Sequence, residues 1–190
     1  MSLQLMIVIL DVSAMEGAIP REFGADAALV PGAEAILASL ESIDARWAIV
    51  TSGSRALVEG WLEVMQLAQP KHLIVAQDVE HGKPDPECYL LGKKRLGLDA
   101  ETLACVVEDS VAGVISGKAS GCKVLAVATT YPPRQLLQAG ADWVINDLRD
   151  VQIIGHDATG AVTIKICKSF QSGEREGEGT KGGLEGGIEP

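Results

Sequence analysis

Three short polar runs, each closing an apolar stretch, could carry chemistry in this 190-residue chain: Val50-Thr51-Ser52-Gly53, Gly82-Lys83-Pro84-Asp85-Pro86 and Val107-Glu108-Asp109-Ser110. A hydroxyl beside a glycine, a lysine held between Gly82 and Pro84, and an adjacent carboxylate pair are what parallel strands offer a phosphoryl group and its metal at their carboxyl ends. The Thr51 hydroxyl and the backbone N–H groups of Ser52 and Gly53 would converge on an anion at a helix N-terminus. Glu108 and Asp109 would repel each other at the end of a buried strand unless hydrogen bonds or a cation offset the cost, and a divalent metal is the economical answer. Each run also has a local reading. Thr51 and Asp109 are residue types that cap helices, with Glu108 then in solvent, and Lys83 could be an ordinary solvated loop lysine.

These residues need strands to hold them, and the chain supplies a suitable alternation. From Pro31 onward helical and strand patterns follow one another with short breaks, the signature of βα units around a parallel sheet. Helices are predicted over Ala33 to Leu40, Arg55 to Leu67, Glu87 to Leu96 and Ala112 to Ser120, with Gly97 as a C-cap. Trp47 to Val50, Leu73 to Ala76, Leu103 to Val107, Val124 to Ala128 and Trp143 to Ile145 read as strands, and the Val-rich ones as buried on both faces. Val151 to Cys167 reads as a β-hairpin turning at Ala158 to Gly160. Beyond Phe170 the composition shifts to Gly, Glu and Lys, with little to bury, so a disordered tail is expected.

Composition narrows the function classes. A length of 190 residues and 47% hydrophobic content suit one globular domain. The net charge of −10, with no cluster of Lys or Arg, argues against nucleic acid. The apolar start, Met1 to Leu10, is about half the roughly 20 residues of a membrane span and lacks the marks of a signal peptide, so no membrane partner and a cytoplasmic location are expected. Cys88, Cys105, Cys122 and Cys167 show no CxxC spacing. They are expected to be free and buried. Nothing in the sequence sets an oligomeric state.

In chain order the three runs, together with Ile19-Pro20-Arg21-Glu22-Phe23-Gly24, Val30-Pro31-Gly32-Ala33, Ala112-Gly113 and Gly117-Lys118-Ala119-Ser120-Gly121-Cys122, resemble the haloacid dehalogenase superfamily. Within it they are similar to the small sugar-phosphate and polyol-phosphate phosphatases, over about Glu16 to Cys167. The resemblance implies a Rossmann-like three-layer α/β/α core around a parallel sheet. It also implies hydrolysis of a small phosphate monoester, such as glycerol-3-phosphate or 2-deoxyglucose-6-phosphate, through an aspartyl-phosphate. On that footing Thr51 would hydrogen-bond a phosphate oxygen, Ser52 and Gly53 would donate N–H groups, and Lys83 would balance charge on nucleophile and phosphate. Asp109, helped by Glu108, would hold Mg2+, which prefers oxygen ligands. Asp85 would be structural.

The family's first motif, an Asp-x-Asp-Gly-Thr run after an apolar strand, is absent. Residues 1–15 therefore read as a segment foreign to the family, 16–168 as the core with its cap domain mostly missing, and 169–190 as the tail. Met6 to Leu10 could fill the slot of the lost central strand. Asp11 would then emerge where an attacking carboxylate belongs, with Ser13, not a carboxylic acid, two positions on. Two functions follow: a Mg2+-dependent phosphatase impaired by loss of that motif, or a non-catalytic fragment that binds phosphate and Mg2+ or a protein partner. A dehalogenase of the same fold would leave Glu108 and Asp109 without a task.

Overall fold

The computed structural model describes residues 4–7, 19–99, 101–157 and 160–170. Asp11, Ser13 and the residues from 171 onward lie outside the described residues. Six strands form one sheet in the order β3-β2-β1-β4-β5-β6, every neighbouring pair parallel. They are β1 (Gln4–Ile7), β2 (Ile49–Val50), β3 (Leu73–Ile74), β4 (Ala104–Glu108), β5 (Lys123–Val127) and β6 (Trp143–Ile145). The central place between β2 and β4 belongs to β1, in a register that aligns Ile7 with both Ile49 and Val107. Val8 to Leu10, the rest of the expected first strand, lie outside the described residues.

Among the described residues six α-helices accompany the sheet: α1 (Ile19–Phe23), α2 (Ala33–Ser42), α3 (Arg55–Val64), α4 (Glu87–Arg95), α5 (Val111–Ala119) and α6 (Pro133–Gln138). All five residues of β4 are buried, as a strand covered on both faces requires. Strand periodicity divides them: Cys105 and Val107 join a core with residues of α2 and α3, while Ala104 and Val106 join a second core with residues of α4, α5 and α6. The hairpin β7 (Val151–His156) and β8 (Val162–Ile166) contributes Val151 and Val162 to the first core. Its turn residues 158 and 159 lie outside the described residues.

Helix ends follow local chemistry. Gly97, with φ of +68°, closes α4, Gly97 N–H donating to Lys94 and Leu98 N–H to Lys93. That is the double bond of a left-handed helix terminus. α3 stops at Val64, three residues short of expectation, because Gln66 adopts φ of +52° and Leu67 N–H turns back to Leu62. α6 was not anticipated; it starts at Pro133, where a fixed φ and a missing N–H cost nothing.

The outer strands of the sheet are both occupied. At β3, Arg95 Nη1 donates to the Leu73 carbonyl at 2.8 Å, and at β6 the Phe170 N–H reaches the Val144 carbonyl at 2.7 Å in an antiparallel bridge. Cys88, Cys105 and Cys122 are free and buried. Burial pushes the Cys105 thiol up to about 12. Cys167 departs from expectation: it is exposed, because it follows the last residue of β8 instead of pointing between layers. Among the described residues no helix is long and apolar enough to cross a membrane.

Candidate phosphate site at the carboxyl ends of the strands

Strand order reverses on either side of β1, and in open parallel sheets that switch point is where ligands bind. Thr51 lies two residues beyond Ile49 and Asp109 two beyond Val107, and both anchor residues align with Ile7. Thr51 and Asp109 therefore leave the sheet at one level, on strands that flank β1. The spacing of strands in a sheet sets their backbones on the order of 10 Å apart.

Thr51 is buried, and its N–H extends the ladder by donating to the Ile74 carbonyl. The cap of α3 is Ser54, whose hydroxyl accepts from Leu57 N–H, so the local capping reading of Thr51 does not hold. The Thr51 Oγ1 accepts from Gly53 N–H at 3.0 Å. That bond folds the Thr51-Ser52-Gly53 loop onto itself and differs from the sequence expectation, in which Gly53 N–H points at an anion. Ser52 is exposed at the apex of this loop.

Glu108 extends the alternation of Ala104 and Val106, so its side chain enters the layer of α4 and α5 instead of the solvent. Five donors meet it there. Lys83 Nζ at 2.5 Å and Tyr89 OH at 2.8 Å share Oε1, while Asp109 N–H, Ser110 N–H and Ser110 Oγ share Oε2 at 2.9, 2.9 and 3.0 Å. The Lys83 and Glu108 side chains are 8% and 1% exposed, so neither is a solvated loop or surface charge. Lys83 Nζ also lies 5.2 Å from the centre of the Tyr89 ring, a cation–π distance. Two residues fit this cluster to its helices. Ser110 caps α5, its Oγ accepting from Gly113 N–H at 3.0 Å. A Cβ at Gly113 would fall 1.9 Å from the Glu108 carboxylate, so the close approach of helix and carboxylate requires glycine there.

Asp109 accepts from Thr130 Oγ1 at 2.7 Å, a residue of the loop after β5. Asp85 has a structural place, as expected: its carboxylate accepts from Glu87 N–H and its carbonyl from Ser116 Oγ. Tyr89 and Thr130 escaped sequence reading, since neither belongs to a polar run that closes a strand. Among the described residues no group of three or more His, Cys, Asp or Glu side chains could hold a metal ion.

The charge state of the cluster follows from its contacts. Burial alone would raise the Glu108 carboxyl, but the Lys83 ammonium and the hydrogen bonds from Ser110 and Tyr89 outweigh it and hold the group below its ordinary 4.5. Burial, then the Glu108 charge, push the Tyr89 phenol well above its ordinary value, so it stays a donor. Because folding lowers the Glu108 pKa, its stabilisation is present above pH 4.5 and is lost as pH falls through the lower folded value. Urea unfolding midpoints should therefore decline below that pH, and Glu108→Gln should flatten the decline. An unchanged slope in the variant would show that Glu108 is not the group responsible.

Comparison with known proteins identifies the family. Residues 19–127, more than half of the chain, match the family described as haloacid dehalogenase-like hydrolase. Glycerol-1-phosphate phosphohydrolase 1 of Saccharomyces cerevisiae is 33% identical over 154 residues, covering 77% of this chain and 62% of the yeast protein. The 2-deoxyglucose-6-phosphate phosphatase 1 of the same yeast is 34% identical over 168 residues, covering 80% and 68%. A haloacid dehalogenase family hydrolase from Deinococcus radiodurans, solved with bound phosphate and sodium, superimposes with a TM-score of 0.56 and 27% identity, over 61% of this chain and 54% of that one. The chain thus spans about three fifths of the length of the glycerol-phosphatase relative. By the extent of the family match, this chain belongs to the haloacid dehalogenase-like hydrolases.

Proposed function

We propose that this chain acts at phosphate monoesters of small sugars or polyols, with Mg2+ as cofactor. The observation that carries the reading is the buried Lys83–Glu108 pair, which holds an ammonium against the carboxylate that ends β4, the residue before Asp109 in the chain. Yeast relatives named for glycerol-1-phosphate and 2-deoxyglucose-6-phosphate support the substrate class. In this reading the Thr51 hydroxyl and the Ser52 N–H bind phosphate oxygens, and Gly53 serves by orienting Thr51 Oγ1. Lys83 neutralises charge on the bound phosphoryl group. Asp109 offers the hard oxygen that suits Mg2+. Glu108, its oxygens taken by internal donors, supports the metal side by fixing the Asp109 backbone. Mg2+, when bound, would supply charge neutralisation at the phosphoryl oxygens.

Hydrolysis through an aspartyl ester also needs a carboxylate that attacks phosphorus while the ester oxygen leaves with a proton, and a water that then cleaves the new bond. Asp11 is the candidate, and it lies outside the described residues. A second reading rests on counting. Thr51 and Asp109 are each two residues past the level of Ile7, where the sequence has Ile9, whereas Asp11 is four past. That offset favours a chain that binds phosphate and Mg2+ without turning over.

Phosphate release from glycerol phosphates in the presence of Mg2+, compared between the native protein and Asp11→Asn, separates the two. Turnover that disappears in the variant supports the phosphatase, and background release from both supports the binding protein. Absence of orthophosphate binding as well as turnover would overturn both readings.

A further inference from the structure

Tyr89 is fully buried in the second core, yet its hydroxyl is spent on the same carboxylate oxygen that holds Lys83. We infer that Tyr89 is a positioning residue for phosphate binding, setting where the Lys83 ammonium stands and how much of its charge faces the strand ends. This rests on the reading of the site as a phosphate site.

Glu108 Oε2 is fixed by three donors from the turn into α5, whereas Oε1 has only the phenol and the ammonium. With the phenol present, the acceptor strength of Oε1 is divided and its position is set from the α4 side. Without the phenol, Oε1 would be left to Lys83 alone. The ammonium would then be drawn inward and spend more of its charge on the internal carboxylate. A lysine has three N–H donors, and only one is needed for Glu108. The ring of Tyr89, 5.2 Å from Nζ, supplies a second, weaker hold that no aliphatic residue could provide. The sequence placement agrees: Tyr89 sits in the first turn of α4, six residues after Lys83, so the loop that carries the lysine and the helix that carries the phenol are one continuous piece.

The test is a double-mutant cycle read as orthophosphate affinity by isothermal titration, with circular dichroism melts to confirm that each variant is folded. Tyr89→Phe, which keeps the ring and removes the hydroxyl, should weaken orthophosphate about tenfold in the native background, the scale of a hydrogen bond to a charged group. In a Lys83→Met background the same change should cost less than about twofold, because its route through Lys83 is gone. Equal losses in both backgrounds would mark a general structural role and overturn the inference, as would an unaltered affinity in Tyr89→Phe. A native protein that binds no orthophosphate would instead overturn the site reading and the inference together, a result told apart by the native titration alone. Should the Lys83 variant not fold, or bind orthophosphate too weakly to titrate, a second measurement decides. The chain has two tyrosines, so 3-fluorotyrosine labelling with Tyr131→Phe leaves one fluorine signal, at Tyr89. That signal should move when orthophosphate is added; a stationary signal in a protein that binds phosphate would overturn the inference.

Discussion

Lys83→Met should lower the stability of the chain by about 3 kcal/mol and remove most of its affinity for orthophosphate. Truncating one partner of a buried ion pair typically costs about 3–5 kcal/mol, because the surviving charge stays in a poor solvent. Here the survivor is Glu108, 1% exposed. The lower end of the range applies because the phenol of Tyr89, two backbone N–H groups and the Ser110 hydroxyl still serve it. Two signs should accompany the loss. The Glu108 carboxyl, no longer held down by the ammonium, should take up a proton at higher pH than in the native protein. A second change, Glu108→Gln, should restore part of the lost stability by removing the stranded charge. Urea unfolding of the two single variants and the double variant measures both. A Lys83→Met protein within 1 kcal/mol of the native one would show that the pair matters little to the fold.

Gly113→Ala should also be damaging, against the ordinary rule. In an exposed helix interior alanine is favoured over glycine by about 1 kcal/mol. At position 113 the added methyl would fall 1.9 Å from both the carboxyl carbon and Oε1 of Glu108. The carboxylate cannot swing aside without giving up its five donors, so helix α5 must move or the Lys83 cluster must break. Overpacking of this kind costs about 1–3 kcal/mol or more, and orthophosphate affinity should fall with it. Gly82→Ala is the matched control, since nothing lies within 4 Å of a Cβ there. It should stay within about 0.5 kcal/mol of the native protein in the same urea titration. A Gly113→Ala protein as stable as the control would mean that the helix can retreat freely.

Much of the scaffold was legible because buried parallel strands announce themselves. The valine-rich runs that became β4 and β5 and the glycine that closes α4 each carry a local cause that sequence alone displays. The end of α3 was not legible, because a glutamine took the left-handed position usually reserved for glycine. In the site, the three polar runs were found, but the division of labour inside them was not. Glu108 and Asp109 are adjacent and alike in type, and only strand parity separates them: one side chain enters the helix layer and the other turns to Thr130 in the loop after β5. The alternative local role of Thr51 and Asp109, capping, falls instead to Ser54 and Ser110. Tyr89 and Thr130 became visible only through tertiary contact, since they reach the carboxylates from elements 19 and 21 residues away.

The closure of the two outermost strands has a consequence for behaviour at high concentration. An unpaired strand border is a template on which other molecules can stack through their main chains. With a guanidinium seated on one border and the returning chain bridged to the other, stacked growth toward fibrils is discouraged at both flanks. Removing Arg95 would reopen one of those routes without touching the Lys83–Glu108 cluster.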